Sequence, residues 1–376
     1  MKKLFLMILF AVSFTGFLFS LDITFNPPVF GGNRADELNS EIKKFFDDYE
    51  VDIENALSGI DKFQGNIIKG FANASVFSSA GATTRTYYGY RNFAASFGAM
   101  GAVQFPKNPF ALYRDLTSLA DSLDGEMNDI NDFLDELGIH GNARIGVDIQ
   151  PLNAQFGLNT SKFLLEDLYL GLKFGYMKLN TSDISFGNYS VGVLGNYQII
   201  KQKRFAKGLF VWRGLNAGTG IIYQNTNLGF NYSLDSETTD MDLSGYDVTA
   251  SIETQLELDW KTTSFTIPLE LMTSVRLLGF LNIPLGLGAD IGFGNSNMSI
   301  GGSSDIRFFG LPSDLYEITP ANVSIMLNGK TRSNIFHPKL MTGLGLNIGP
   351  VFIDIPVTIY FTGNGFNAGL SIGFVL

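Results

Sequence analysis

The end of the chain decides the fold. It reads LMTGLGLNIGP over residues 340–350, VFIDIPVTIYF over 351–361 and TGNGFNAGLSIGFVL over 362–376. Apolar side chains occupy every second position, and the positions between them are mostly small or polar. Because successive side chains of a strand point to opposite sides, this period of two predicts strands. Gly349-Pro350 and residues 362–365 supply tight turns, so the stretch predicts a β-meander with one apolar face.

The same alternation recurs over most of the chain from residue 142 onward. Many runs reach the roughly 9–11 residues that a tilted membrane strand needs, whereas ordinary strands average about 5–6. A β-sandwich alternates too, with its apolar side inward. Strand length, aromatic residues at the ends of the runs and an apolar C-terminal strand favour the membrane. We therefore predict an all-β membrane protein, an antiparallel transmembrane β-barrel of about 12–14 strands.

In this barrel each apolar face would contact lipid, with aromatic residues at the two membrane interfaces. The predicted lipid-facing or girdle residues are Tyr246, Trp260, Phe265, Phe361 and Phe366. The opposite face would line the lumen and carries acids with fewer bases. The predicted lumen-lining residues are Glu253, Glu257, Asp259, Glu270, Arg276, Asp290 and Lys173. Two interpretations stay open: the acids make a cation-favouring pore, or they pair with the bases and brace a closed barrel.

Composition narrows the class of protein. Of 376 residues, 45% are hydrophobic and 16% are charged, against about a quarter charged in a typical soluble domain. The formal net charge of -10 argues against a nucleic-acid partner, since phosphate binding needs basic patches. The absence of cysteine excludes disulfides and thiolate metal sites.

The first 20 residues have the pattern of a secretory signal peptide. Met1-Lys2-Lys3 is a basic head, Leu4–Phe19 is apolar, and Ser20 is small enough to precede cleavage before Leu21. We expect export by the Sec route to the outer membrane of a bacterium with two membranes. The expected partners are the lipid bilayer and the machinery that assembles outer-membrane barrels.

Residues 21–85 are predicted to form an N-terminal hatch segment before a barrel domain of residues 86–376. Apolar residues recur at helical spacing over residues 36–60, opposite an acidic face. This amphipathic helix either packs on an apolar surface or plugs the pore. Residues 66–92 are small, polar and glycine-rich, and no element is assigned to them. A second helical pattern, with a carboxylate-rich face, predicts an insertion over residues 108–138.

A long N-terminal segment followed by 12–14 strands resembles the FadL-like transporters of fatty acids and hydrocarbons. The resemblance implies a barrel whose N-terminal hatch fills the lumen. The family's early Asn-Pro-Ala motif is not matched, because Asn108-Pro109-Phe110-Ala111 is distant from it and too late in the chain. No ligand site is therefore carried over. We predict a channel or transporter for small molecules, hydrophobic ones included, whose cargo is unknown. The alternatives are an open cation-favouring porin and a surface adhesin without a transport role.

Enzymatic activity is not expected. The two histidines, His140 and His337, lie in turn-like contexts where a surface position is expected, and neither has a nearby catalytic trio. The sequence shows no histidine–carboxylate metal spacing, phosphate-binding loop or dinucleotide signature. We therefore predict no catalytic residues, no metal and no cofactor.

Overall fold

The computed structural model describes residues 20–32, 64–80, 92–105, 146–234, 236–243, 246–310 and 315–376. It also describes residue 144 and the helical residues 35–36, 38–40, 42–44 and 47. Residues 1–19 of the predicted signal peptide and the predicted helical insertion 108–138 lie outside the described residues. Among the residues that are described, no helix is both long and apolar enough to cross a membrane.

Strands dominate the described chain, with one fully described helix. The first strands are β1 (Ser20–Asn26), β2 (Val29–Gly32), β3 (Phe93–Gln104), β4 (Gly146–Asn159), β5 (Leu168–Asn180), β6 (Ile184–Ile200), β7 (Lys203–Phe205) and β8 (Phe210–Ser233). They are followed by β9 (Glu237–Leu243), β10 (Tyr246–Leu277), β11 (Leu281–Phe309), β12 (Leu315–Thr319), β13 (Ala321–Arg332), β14 (Phe336–Ile348), β15 (Val351–Tyr360) and β16 (Gly365–Val375). The helix α1 spans Gln64–Ala80.

Ten strands close into an antiparallel ring, in the order β3, β4, β5, β6, β8, β10, β11, β14, β15, β16 and back to β3. The predicted antiparallel transmembrane barrel is confirmed. The wall has ten strands instead of the predicted 12–14, because β1, β9 and β13 join the same sheet above the ring and β7 pairs only with β8. Strands β2 and β12 form a separate pair. A period of two identifies strands but does not show which of them close the ring.

We call the lower end of the barrel the one where β3 begins and β16 stops, and the opposite end the upper end. Aromatic side chains ring both ends of an apolar outer band. At the upper end Phe265 lies 6.5 Å from Phe293, and at the lower end Phe93 lies 5.8 Å from Phe374, between ring centroids. On β11 the band runs to Phe293 from the lower turn, roughly 13 residues. At about 3.3 Å per residue and a tilt of ~45°, this spans roughly 30 Å, the thickness of the hydrocarbon core.

Three strands continue far above this band. Strand β10 has 32 residues, β11 has 29 and β8 has 24. At the level of Gly292–Gly294, β11 changes its neighbour from β14 to β13, and β13 in turn pairs with β1. We call this upper sheet the extension: Asn225–Ser233, Tyr246–Lys261 and Asn295–Phe309, together with β1, β9 and β13. It is an open sheet on one side of the barrel mouth.

The polarity of the strands reverses between the membrane band and the extension. In the band, Leu269 and Leu271 of β10 point outward and Glu270 is buried inside. In the extension of the same strand, Ala250 points inward and is buried, while Glu253 points outward. The prediction that every apolar face contacts lipid is therefore wrong for the extension. Water surrounds the outside of the extension, so its apolar face turns inward as in a soluble protein.

The apolar inner face of the extension packs on the N-terminal part of the chain. The shared core consists of Phe30, Ala35, Leu38, Ile42, Ala250, Ile306, Phe308, Ala321 and Val323. Leu38 and Ile42 belong to the apolar stripe predicted for the 36–60 helix, and residues around them are helical. For the described residues, the structure favours the interpretation in which this helix packs on an apolar surface over the one in which it plugs the pore.

Candidate functional site: the occupied lumen

Helix α1 occupies the lumen of the barrel. Every residue from Ala72 to Ser79 is buried, and the helix contacts strands on several sides, among them β3, β4, β8, β10, β11 and β16. Its upper part reaches Trp260 of β10, and its lower part reaches Thr266 of the same strand. Because the wall surrounds α1, it needs no polar face, which is why its sequence shows no amphipathic period. Sequence reasoning missed this helix for that reason.

Glycines in the wall allow the helix to approach the strands closely. A side chain at Gly146 of β4 would overlap the backbone of Gly70 in α1. A side chain at Gly292 of β11 would overlap Val76. The absence of a Cβ at these positions lets backbone meet backbone or a branched side chain.

Polar side chains of the wall hold the lower half of α1. The Ser78 hydroxyl donates to Asp148 Oδ2 at 2.6 Å, and Ser79 Oγ donates to Thr266 Oγ1 at 2.8 Å. The Lys173 ammonium donates to the Ser79 carbonyl at 2.6 Å, and Asn367 Nδ2 donates to the Phe77 carbonyl at 2.9 Å. The last two bonds satisfy backbone oxygens at the helix C-terminus, which have no partner within the helix. A cation there also complements the helix dipole.

An aromatic cluster closes one side of the lumen. Phe77 of α1 stacks on Tyr360 of β15 and meets His337 of β14 edge-on, with ring centroids 4.0 and 5.0 Å away. His337 is fully buried, and its Nε2 lies 2.7 Å from the Asn334 carbonyl. The expected surface position of His337 is therefore wrong. The alternation that places Lys339 and Met341 inside also places His337 inside.

A buried ion cluster lies beside the helix. The Lys339 ammonium contacts Glu270 Oε1 at 2.5 Å and Asp290 Oδ1 at 2.6 Å, and all three side chains have 0% exposure. Tyr360 donates its hydroxyl to the second oxygen of Asp290 at 2.8 Å. The four residues of this cluster lie on β10, β11, β14 and β15. Separating them would leave a charge buried without a partner in a medium of low dielectric, so the cluster holds these strands together.

The residues predicted to line the lumen divide into two groups. Glu270, Asp290 and Lys173 lie inside the ring, where they are fully buried, and Arg276 lies half-buried at its lower end. Both predicted acids inside the ring, Glu270 and Asp290, contact Lys339, as in the interpretation that bases brace a closed barrel. The base that pairs with both acids is Lys339, which was not among the predicted site residues.

The other predicted lumen residues lie elsewhere. Glu253, Glu257 and Asp259 are exposed on the outer face of the extension, so their predicted lumen position is wrong. The physical reason is the reversal of polarity above the membrane band. Their positions remove the acidic ring on which the open cation-favouring porin depended.

The predicted girdle residues also divide. Trp260 is not at the lipid interface: it is 7% exposed and packs inside against Phe71 of α1, with ring centroids 4.5 Å apart. Phe265 and Phe361 are exposed on the outer face, and Phe366 is half-buried on that face. Tyr246 begins β10, and its side chain is outside what the structure describes. Tyr189 and Tyr223, whose hydroxyls lie 3.2 Å apart, complete the upper girdle.

A metal ion would need several histidine or carboxylate ligands, and the described residues offer no such group. No three histidine or carboxylate side chains of that part of the chain lie close enough to share an ion. The contacts of the site hold one helix in place through hydrogen bonds, beside a buried ion cluster that joins strands of the wall.

Several solved structures resemble this chain at low similarity, and they are β-barrels of bacterial outer membranes. The similarity to the NalP autotransporter translocator domain from Neisseria meningitidis covers 77% of this chain and 90% of that domain, with 7% sequence identity and a TM-score of 0.27. The similarity to the Ralstonia pickettii toluene transporter TbuX covers 80% of this chain and 99% of that one, with 10% identity and a TM-score of 0.25. The similarity to Acinetobacter baumannii Omp33 covers 77% of this chain and 99% of that one, with 10% identity and a TM-score of 0.23. Similarity at this level says nothing about what the chain does.

No curated protein sequence matches this chain. A protein-family model does match it, over residues 18–376, which include the barrel, the extension and α1. The chain therefore belongs to the Lsa36-like family.

Proposed function

We propose that this protein is a transport barrel of a bacterial outer membrane, closed at rest by α1, which passes small molecules when α1 is displaced. The observation that supports the proposal is the seating of α1 in the lumen by hydrogen bonds. Lys173, Asn367 and Thr266 contact its last turn through single polar contacts. A typical hydrogen bond contributes only about 0.5–1.5 kcal/mol net, so such contacts can be exchanged for water or for a ligand.

A reversible lock tests this proposal, because the chain has no cysteine. The hydroxyl oxygens of Ser79 and Thr266 lie 2.8 Å apart, so Ser79→Cys with Thr266→Cys places two thiols within bonding reach. A release variant, Lys173→Met with Asn367→Leu, removes two contacts of α1. In planar bilayers we expect the wild type to be silent and the release variant to conduct. The release variant with the added cysteine pair should be silent when oxidised and conduct after reduction.

The matched control is the release variant with Ser79→Cys alone, whose conductance should not respond to reduction. Heat-modifiable gel migration shows that each variant keeps a folded barrel. Full conductance of the intact wild type, or an oxidised pair that leaves the conductance of the release variant unchanged, would contradict the proposal.

A second candidate is a surface-interaction barrel, and the extension favours it. Its outer face is polar and carries Glu253, Glu257 and Asp259, well above the upper aromatic girdle. With the upper end outside the cell, this face would meet other molecules. The transport proposal expects protease treatment of intact cells to leave conductance of the release variant in place. Loss of partner binding by the treated cells, together with a wild type and release variant that are both silent, would favour the surface role.

A further inference from the structure

A groove bordered by polar and charged residues crosses five strands of the outer face where the extension leaves the membrane band. Cross-strand pairing aligns Gly187, Asn227, Lys261, Asn297 and Lys330 in one row, on β6, β8, β10, β11 and β13. The next row upward is Ser185, Gly229, Asp259, Ser299 and Asn328. All residues of the two rows except Gly187 line a cavity of about 590 Å³, together with Leu228, Trp260, Met298 and Gly329, which lie between the rows.

The groove lies at the depth of lipid headgroups. On β10, Phe265 belongs to the upper aromatic girdle and Lys261 is four residues above it. At about 3.4 Å per residue, this places the lysine row roughly 10 Å above the girdle along the membrane normal for a strand tilted by ~45°. Aromatic girdles sit at the boundary between acyl chains and headgroups. A molecule that fills the groove would therefore lie among the headgroups of the outer leaflet.

The charge of the lower row is positive. Lys261 and Lys330 are both exposed, and neither has an ion-pair partner among the residues that the structure describes. Asn297 pairs with each of them, so the two lysines stand two strands apart, roughly 10 Å between Cα atoms at about 4.8 Å per strand. Flexible lysine side chains from these positions can both reach one phosphate group or two neighbouring ones.

The groups around the lysines suit hydroxyls of a sugar. Asn227 and Asn297 flank Lys261 on the same row, with amides that both donate and accept hydrogen bonds. The upper row adds Asp259, which accepts, and Ser299, which does both. The lining thus combines phosphate-binding cations with sugar-binding amides and carboxylate.

We propose that this groove binds the headgroup of a phosphorylated glycolipid of the outer leaflet. Its phosphate contacts Lys261 and Lys330, and its sugar hydroxyls contact the asparagine, serine and aspartate side chains. Such a site fixes the height of the extension over the membrane and orders lipid along the tall side of the barrel. The proposal does not depend on whether α1 moves.

Lipid retention tests the site. The full-length protein is reconstituted in nanodiscs of phosphatidylcholine with lipid A, a phosphorylated glucosamine disaccharide lipid, extracted in mild detergent and examined by native mass spectrometry. We expect the wild type to retain lipid A in preference to phosphatidylcholine. Lys261→Gln with Lys330→Gln should weaken this retention on the order of tenfold, because two charge-assisted hydrogen bonds are lost. Lys261→Arg with Lys330→Arg should preserve it.

The matched control is Lys207→Gln, which removes an exposed lysine at the lower end and should leave retention unchanged. Equal retention by the wild type and the double glutamine variant would overturn the proposal. Inorganic phosphate supplies the second arm. If it displaces all lipid A, the groove recognises phosphate alone and the headgroup assignment is wrong. If lipid A stays bound, the sugar contacts are supported.

Discussion

Phe77 of α1 stacks on Tyr360 of β15 with ring centroids 4.0 Å apart and an interplanar angle of 15°, and the Tyr360 hydroxyl donates to Asp290 of β11. One wall residue therefore contacts the helix with its ring and the buried ion cluster with its hydroxyl. Through it, the position of α1 and the charge balance of the wall are connected.

Removing the hydroxyl of Tyr360 removes its bond to Asp290 and a longer one, 3.4 Å, to the Phe77 carbonyl, and keeps the ring. In Tyr360→Phe the ring still stacks on Phe77, but Asp290 loses a buried hydrogen-bond donor. We expect a loss of about 1–3 kcal/mol in the free energy of unfolding, the usual cost of an unsatisfied buried group. Urea titration followed by gel mobility measures it. Tyr176→Phe, at an exposed outer position, is the control and should change little. An equal effect of both substitutions would refute the role of the hydroxyl.

Replacing the base of the ion cluster should be more costly. Lys339→Met leaves Glu270 and Asp290 buried with their bridging cation removed, and breaking a buried pair costs about 3–5 kcal/mol. We expect poor folding, seen as loss of the heat-modifiable band. Adding Glu270→Gln and Asp290→Asn removes the stranded charges and should restore most of the band. A triple variant as unstable as the single one would show that charge is not the cause.

The two tryptophans report which face meets lipid. Trp212, at the lower end of β8, pairs with Val275 of the outer face, whereas Trp260 packs inside against Phe71. In bilayers of brominated lipid, fluorescence of the Trp260→Phe variant, which keeps Trp212, should be strongly quenched. Fluorescence of the Trp212→Phe variant should hardly change. Strong quenching of the second variant would place Trp260 at the lipid surface after all.

A charge on the outer face should be tolerated in the extension and not in the band. Leu271→Lys puts an ammonium against acyl chains and should cost about 2–4 kcal/mol if it lies near the bilayer centre. Gln255→Lys lies on the same face of the same strand, in water, and should stay within about 0.5 kcal/mol of the wild type. Refolding yield into vesicles compares them. Similar yields would contradict the position of the membrane band.

The extension should become slightly more stable in acid through Glu257. Burial, and then the neighbouring Asp259 carboxylate, raise the pKa of Glu257 above its ordinary 4.5. The stabilisation that goes with a raised carboxyl pKa is complete below 4.5 and is lost as the pH rises through the folded-state pKa. Glu257→Gln should therefore slow protease cleavage of the extension at neutral pH but not at acid pH.

The control for this change is Gln255→Asn, a neutral substitution on the same outer face, which should leave the pH dependence of cleavage as in the wild type. Faster cleavage of Glu257→Gln at neutral pH would show that the carboxylate stabilises the extension instead.

Much of the barrel could be read from residues 340–376. Leu344, Leu346 and Ile355 are exposed outside, and Asp354 and Thr358 are buried inside, as the alternation indicates. The sequence predicted the two acids of the ion cluster, because Glu270 and Asp290 lie on the predicted inner face. The same alternation places Lys339 on the inner face, because it directly precedes Leu340 of the outer face. Helix α1 left no such signal, because a helix enclosed by a wall has no solvent face to mark with polar residues.

The sequence by itself determined that these strands have two different faces, because a period of two is a property of the local backbone. It did not determine what each face meets. The backbone of β10 alternates without a break, but its apolar positions are even-numbered over residues 246–260 and odd-numbered over residues 265–277. Ala250 is therefore buried inside, and Leu271 is exposed outside. Only the closed ring, the level of its aromatic girdles and the helix within it decided where lipid ends and water begins. That boundary depends on neighbouring strands distant in sequence, which no local pattern records.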